Sequence, residues 1–212
     1  MADLEKLSEA VITGNLESAR ELTQAALDDG VEVEEILNDS LIAAMSVVGE
    51  KFKNNEFYVP EMLIAARAMN GAMELIEPKL VEAGIEPKGT VVLGTVKGDL
   101  HDIGKNLVGM MMKGAGFDVV DLGVDCAPEK FVEAAEANSA QIIAMSALLT
   151  TTMVNMKEVI DGVNSSSVAG SVKTMIGGAP ITQGYCDEIG ADAYAPDAAS
   201  AADCAKRLIG AG

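Results

Sequence analysis

The 212-residue chain has no tryptophan, one histidine, three cysteines, three tyrosines and four phenylalanines. So few aromatic side chains leave little surface for ring stacking, and twelve methionines supply soft, adaptable apolar packing instead. Cys126, Cys186 and Cys204 are odd in number and far apart, without the paired spacing of a zinc site or a disulfide framework. They are expected to be reduced and structural. Basic residues are scarce, 15 Lys and Arg against 33 Asp and Glu, and the net charge of −18 repels phosphate backbones and anionic lipid surfaces. Neither nucleic acid nor a membrane is therefore expected as a partner. Although 49% of residues are apolar, no run approaches the ~20 uninterrupted apolar residues of a membrane span. The N-terminus, MADLEKLSEAV, is acidic and lacks a basic region followed by an apolar run, so a soluble cytoplasmic protein is expected.

What remains divides in two. Residues 3–85 carry apolar positions at helical spacing, broken at Gly14-Asn15, Asp29-Gly30 and Asn54-Asn55. The spacing predicts helices over roughly Leu4–Thr13, Leu16–Asp28, Val33–Lys53 and Pro60–Glu82, with Pro60 in a first turn where its missing N–H is harmless. Short loops between them make a small bundle, expected as a domain over residues 1–84. Gly84, Pro87 and Gly89 then stop the helix, and 85–89 reads as a linker. From residue 90 to 212 the pattern changes to short apolar runs, Val91–Val96, Asp118–Leu122, Ile142–Ser146, Lys173–Ile176 and Ala193–Ala195, separated by helix-length stretches. That alternation predicts an α/β domain, a doubly wound five-stranded parallel sheet with its strand-end loops gathered on one edge.

The only histidine lies at that edge. Thr90–Lys105, TVVLGTVKGDLHDIGK, reads as strand and loop leading into a helical stretch over Asn106–Ala115, and Asp99-x-His101-x-x-Gly104 occupies the loop, where open sheets of this kind bind ligands. The imidazole can project from the edge while the carboxylate two residues earlier reaches its other nitrogen, as a metal-binding imidazole is commonly oriented. Protein-built zinc or iron sites need three or four donors, and one histidine supplies one bond. Either a metal arrives with its own ligands or there is no metal. Singly, these residues have ordinary readings: Asp99 as a helix N-cap, Ser146 as a capped strand end, Gly177-Gly178 as a loop. The segment is not a phosphate-binding glycine loop, since neither G-x-G-x-x-G nor G-x-x-x-x-G-K-[ST] is present.

In combination, Gly98–Asn106, Ser146–Met153 and Gly177–Pro180 resemble the corrinoid (cobalamin-binding) proteins of methyltransferase systems, which are similar to the cobalamin-binding module of methionine synthase. Val48–Phe52 and Tyr58–Met62 resemble the helical cap of the same family, so the likeness spans essentially the whole chain. It implies a flavodoxin- or Rossmann-like cobalamin domain in which His101 is the lower axial ligand of cobalt, bound base-off and His-on. It further implies that Asp99 accepts the second N–H of His101, with Ser146 continuing the hydrogen-bond chain. Gly98, Asp102, Ile103, Gly104, Leu148, Thr150, Gly177 and Gly178 would line the cofactor cavity, and Tyr58 and Leu63, with Phe57, would shield the upper face. The implied role is a methyl carrier in methanogenesis, acetogenesis or related one-carbon metabolism, not a catalyst on its own. Cobalt(I) would accept methyl from a substrate-specific methyltransferase, with methylated amines favoured over methanol or methoxylated aromatics. A second methyltransferase, acting on coenzyme M or tetrahydrofolate, would receive it, and a reductive activase would rescue oxidised cofactor. A cobalamin-dependent sensor or storage module, or the cobalamin-binding subunit of a mutase, are the alternatives.

Overall fold

A computed structural model describes residues 3–210, so the outermost ends of the two expected domains, residues 1–2 and 211–212, lie outside it. The chain divides into two compact units, a helical one through Glu86 that includes Gly114–Gly116, and an α/β one made of Pro87–Lys113 and the rest from Phe117.

In the helical unit, α1 (Leu4–Ile12) starts where the Asp3 carboxylate accepts the Lys6 N–H at 3.0 Å, and α2 (Leu16–Asp28) where the Asn15 side chain accepts the Ser18 N–H at 3.1 Å. Gly14, at φ +72, makes the tight passage between them. The third expected helix is continuous but not uniform: α3 (Val33–Glu35) passes through a π-helical stretch, Ile36–Ile42, into α4 (Ala43–Lys53). The wider turn leaves the buried Ser40 hydroxyl without a hydrogen-bond partner. The last helix, α5 (Val59–Glu82), carries Pro60 in its first turn, as expected. It approaches α2 so closely that a Cβ on Gly71 would fall 2.2 Å from Leu16 Cδ1. Leu7, Val11, Ile36, Leu41, Met45, Met62, Met69 and Ile76 fill the core of this unit, where methionine serves as ordinary packing.

The α/β unit is a five-stranded, wholly parallel sheet of β1 (Thr90–Thr95), β2 (Asp118–Asp121), β3 (Ile142–Ser146), β4 (Lys173–Gly177) and β5 (Ala193–Ala195), in the order β2-β1-β3-β4-β5. Crossover helices α6 (Ile103–Gly114), α7 (Pro128–Ala137), α8 (Asn155–Asn164) and α9 (Gln183–Ile189) join them, and α10 (Ala198–Leu208) closes the chain. The central strands are apolar because both of their faces are covered: Val91, Val92, Leu93, Ile142, Ile143 and Ile176 are buried. The order reverses direction between β1 and β3, and the crevice at their C-terminal ends is where a doubly wound sheet accepts ligands. Among the described residues no helix is long and apolar enough to cross a membrane. All three cysteines are buried free thiols.

Asp192 ties β4 to the start of β5, accepting the Thr174 N–H at 2.8 Å and pairing with Lys173 at 2.9 Å. Burial alone would raise its carboxyl; the Thr174 amide and the Lys173 ammonium outweigh that and hold it below the ordinary carboxylate range. A carboxyl depressed in the fold contributes stability that is present above about pH 4 and is lost as pH falls through its lower folded value. Thermal melts of Asp192→Asn across pH are expected to show lower stability than wild type at neutral pH and a shallower decline in acid. Parallel curves for the two proteins would contradict this.

Candidate functional site

β1 ends at Thr95, and the chain turns outward through Gly98, at φ +78, before α6 begins at Ile103. This loop is held from several sides. The Thr95 hydroxyl donates to the His101 carbonyl at 2.8 Å, the Asn155 amide donates to the Lys97 carbonyl at 2.7 Å, and the Gly98 N–H donates to the Asp125 carboxylate at 2.7 Å. Asp125 itself sits at φ 51, a conformation that aspartate tolerates better than most side chains, and its N–H reaches the Asp99 carbonyl at 3.0 Å. At the foot of α6 the buried Lys105 ammonium pairs with Asp121 at the end of β2. The loop is thus fixed to both of its sheet neighbours.

The histidine is fixed just as firmly. Its Nδ1 lies 2.6 Å from Asp99 Oδ1 and its Nε2 lies 2.8 Å from the hydroxyl of Ser146, which pairs in register with Thr95 at the far end of the β1–β3 ladder. Asp99 is 2% exposed, and its other oxygen accepts the Leu148 N–H at 2.8 Å and the Thr152 hydroxyl at 2.6 Å. Burial would raise this carboxyl, yet the hydrogen bonds from Thr152, from His101 and from the Leu148 amide overcome it and hold Asp99 well below the ordinary carboxylate range. Asp99 is therefore an anion that only accepts, so Nδ1 carries the proton and Nε2 presents its lone pair. The arrangement departs from the expected order in one respect. Ser146 stands at the opposite ring nitrogen, not beyond Asp99, and Thr152 takes the place behind the carboxylate.

The remaining expected residues of this unit fall into two groups. Gly98, Asp102, Ile103 and Gly104 lie in the loop or the first turn of α6, and Leu148 and Thr150 follow β3; all six are exposed. Gly177 and Gly178 have a backbone reason to be glycine: a Cβ on Gly178 would fall 1.9 Å from the Ala147 carbonyl oxygen and one on Gly177 3.0 Å from that of Ala195. Gly178 lets the chain after β4 pass close to the chain leaving β3, and Gly177 lets the end of β4 lie close to the end of β5. Tyr58 and Leu63 belong to the helical unit, at the N-cap and in the first turns of α5, and both are exposed. Thr152, Asp125 and Asn155 went unpredicted because each acts through a partner distant in sequence, and Thr95, whose partner His101 is six residues on, because it reads as an ordinary strand residue.

Three features of the α/β unit bear on what this edge binds. Its large exposed apolar side chains, Leu100, Ile103, Leu148, Leu149 and Val154, all lie in the His101 loop and the segment after β3, with Leu100 and Ile103 74% and 75% exposed. A Cβ on Gly104 would meet nothing within 4 Å, leaving the N-terminal backbone of α6 open to close approach. Finally, among the described residues no cluster of three His, Cys, Asp or Glu could hold a metal ion. One lone pair ringed by apolar surface suits a metal that brings its own equatorial ligands in a broad, largely apolar macrocycle.

Comparison with known proteins identifies that group. The B12 binding domain family matches residues 89–203, and a second B12 binding domain family matches residues 3–77. The chain belongs to the B12-binding proteins. Its cofactor is a corrinoid. Across the B12-binding relatives, trimethylamine corrinoid protein 1 of Methanosarcina acetivorans is 44% identical over 91% of this chain and 90% of its own. A corrinoid protein of Desulfitobacterium hafniense is 39% identical over 99% of each chain. Of solved structures, a cobalamin-binding protein from Desulfitobacterium hafniense superposes with a TM-score of 0.82 at 27% identity, covering 98% of this chain and 99% of that one. A chain of the methanol:cobalamin methyltransferase complex from Methanosarcina barkeri gives 0.85 at 29% identity, covering 97% and 79%.

Proposed function

We propose that this B12-binding protein is a methyl carrier whose cofactor is held through His101 Nε2. The observation that carries the reading is the buried Asp99 carboxylate, which fixes the proton on Nδ1 and leaves the Nε2 lone pair, met in this structure by the Ser146 hydroxyl, at the edge where the large exposed apolar side chains of the α/β unit gather among the described residues. When bound, the corrinoid supplies the chemistry, accepting and releasing a methyl group at cobalt. The protein's own work is positional. Asp99 orients the imidazole, Thr95 and Asp125 hold the loop, and Gly104 leaves room at the start of α6 for the cofactor's displaced tail.

The likeness to a chain of a methanol:cobalamin methyltransferase complex supports a methyltransferase as partner, and the trimethylamine and monomethylamine corrinoid proteins favour a methylated amine as donor. A carrier that docks a donor enzyme, an acceptor enzyme acting on coenzyme M or tetrahydrofolate, and a reductive activase needs transient interfaces with each. Three buried thiols fit the reducing cytoplasm where such enzymes would be met. The match over the helical unit favours this reading over a mutase subunit.

The test is reconstitution with hydroxocobalamin followed by assay of isotopically labelled methyl transfer from mono-, di- or trimethylamine to coenzyme M, with donor and acceptor methyltransferases added. Transfer that depends on this protein is expected with one of the amines. Transfer from methanol alone would overturn the donor class, and failure with every donor and acceptor would overturn the carrier role.

A further inference from the structure

The nitrogen that a metal would take is already occupied. Nε2 of His101 accepts a hydrogen bond from the Ser146 hydroxyl at 2.8 Å, because each oxygen of the buried Asp99 carboxylate already accepts a backbone N–H, from His101 and from Leu148, so that Nδ1, 2.6 Å away, is the ring nitrogen that donates. Ser146 is half-buried at the last position of β3, and its backbone is committed to the sheet, so only its side chain is free to let go. Behind the ring the situation is the reverse. Thr152 is 7% exposed, and its hydroxyl sits 2.6 Å from Asp99 Oδ2, beside the Leu148 N–H at 2.8 Å on the same oxygen. Thr152 lies 53 residues from Asp99 in sequence, and it couples the loop after β1 to the turn that precedes α8.

We infer that Ser146 is a displaceable occupant of the metal-binding nitrogen, and that Thr152 is the positioning residue that holds the Asp99 carboxylate behind His101. This deepens the reading of His101 as axial ligand and rests on it. In the cofactor-free protein the serine hydroxyl satisfies a half-buried lone pair that would otherwise lack a partner, keeping the ring in its tautomer and facing the crevice. Coordination through Nε2 requires that hydroxyl to rotate away, so Ser146 slows loading while preserving the geometry that loading needs. The Thr152 hydroxyl also lies 3.0 Å from the Leu149 carbonyl, but the carboxylate, at 2.6 Å, is the stronger acceptor for its single proton.

The single histidine makes the test direct, because histidine-selective 15N labelling reports one ring. In the cofactor-free protein the resonances are expected to show a protonated Nδ1 and a hydrogen-bonded, unprotonated Nε2. Ser146→Ala is expected to move Nε2 to the position of a free acceptor with Nδ1 unchanged, and to speed binding of Co(II) cobalamin roughly two- to tenfold, the worth of one neutral hydrogen bond. Thr152→Val is expected to mix the tautomers and weaken the same binding by a similar factor, and Thr152→Ser, which keeps the hydroxyl, to restore both. An Nε2 resonance unmoved by Ser146→Ala, or tautomers unmoved by Thr152→Val in a folded protein, would overturn the inference. A wild-type protein that bound no cobalamin would overturn the axial-ligand reading instead, and the nitrogen resonances would still decide the two hydrogen bonds.

Discussion

Replacing Asp99 with alanine is expected to destabilise the protein by about 3 kcal/mol or more, and replacing it with asparagine by about 1–3 kcal/mol with loss of the usable histidine tautomer in part of the population. Four donors converge on this carboxylate: the His101 N–H and Nδ1–H on one oxygen, and the Leu148 N–H and Thr152 hydroxyl on the other. Alanine removes the acceptor of the His101 N–H, the Nδ1–H and the Leu148 N–H, and leaves the Thr152 hydroxyl only the Leu149 carbonyl at 3.0 Å. Asparagine keeps one acceptor and turns the other into a donor. If its amide faces Leu148, that backbone N–H meets another N–H; the threonine can reverse its role, but the main chain cannot. If it faces His101, the ring can answer only by moving its proton to Nε2, which removes the lone pair. Urea denaturation and histidine 15N spectra together check both halves. An Asp99→Ala protein as stable as wild type would mean that the hydrogen bonds around this carboxylate do not carry the loop.

Gly104→Ala is expected to raise stability and weaken cofactor binding, effects of opposite sign from one methyl group. The position lies in the first turn of α6, away from any side chain or backbone that a Cβ would touch. Alanine there should gain about 0.5–1 kcal/mol by restricting the unfolded chain and favouring helix. The same methyl group would occupy the space that lets the cofactor's tail approach the unpaired N–H groups of the helix. A loss of affinity of at least about tenfold is expected, equivalent to about 1.4 kcal/mol. Thermal melting of the cofactor-free protein and titration with cobalamin read the two effects separately. Unchanged affinity would remove Gly104 from the binding surface.

The large features of this protein are legible in its sequence because they rest on local signals. Ile142–Ser146 and Leu16–Asp28 have the bounds their apolar spacing predicts, and β4 gains only Gly177. The start of α6 was harder to place. Ile103, Gly104 and Lys105 belong to its first turn, but an exposed isoleucine, a glycine and a buried lysine carry no helical periodicity, so the pattern begins at Asn106. The π-helical stretch at Ile36–Ile42 was invisible for the opposite reason, since its buried residues read as a continuous helix. At the site, the Asp99–His101 contact spans two residues and could be reasoned from spacing. Ser146 is 45 residues from the histidine and Thr152 is 53 from the aspartate, and which ring nitrogen or carboxylate oxygen each meets is decided by how β1 and β3 align. The run of three threonines after Ser146 was the available hint, though it does not say which hydroxyl turns inward.

The central claim is that one protein nitrogen, from His101, ligates the corrinoid's cobalt. The most direct measurement is the electron paramagnetic resonance spectrum of the protein reconstituted with cobalamin and reduced to Co(II), with the histidine ring labelled with 15N. Superhyperfine splitting that changes on labelling and disappears in His101→Ala is the expected result. Splitting that ignores the label, with the cofactor's own benzimidazole still in place, would contradict it.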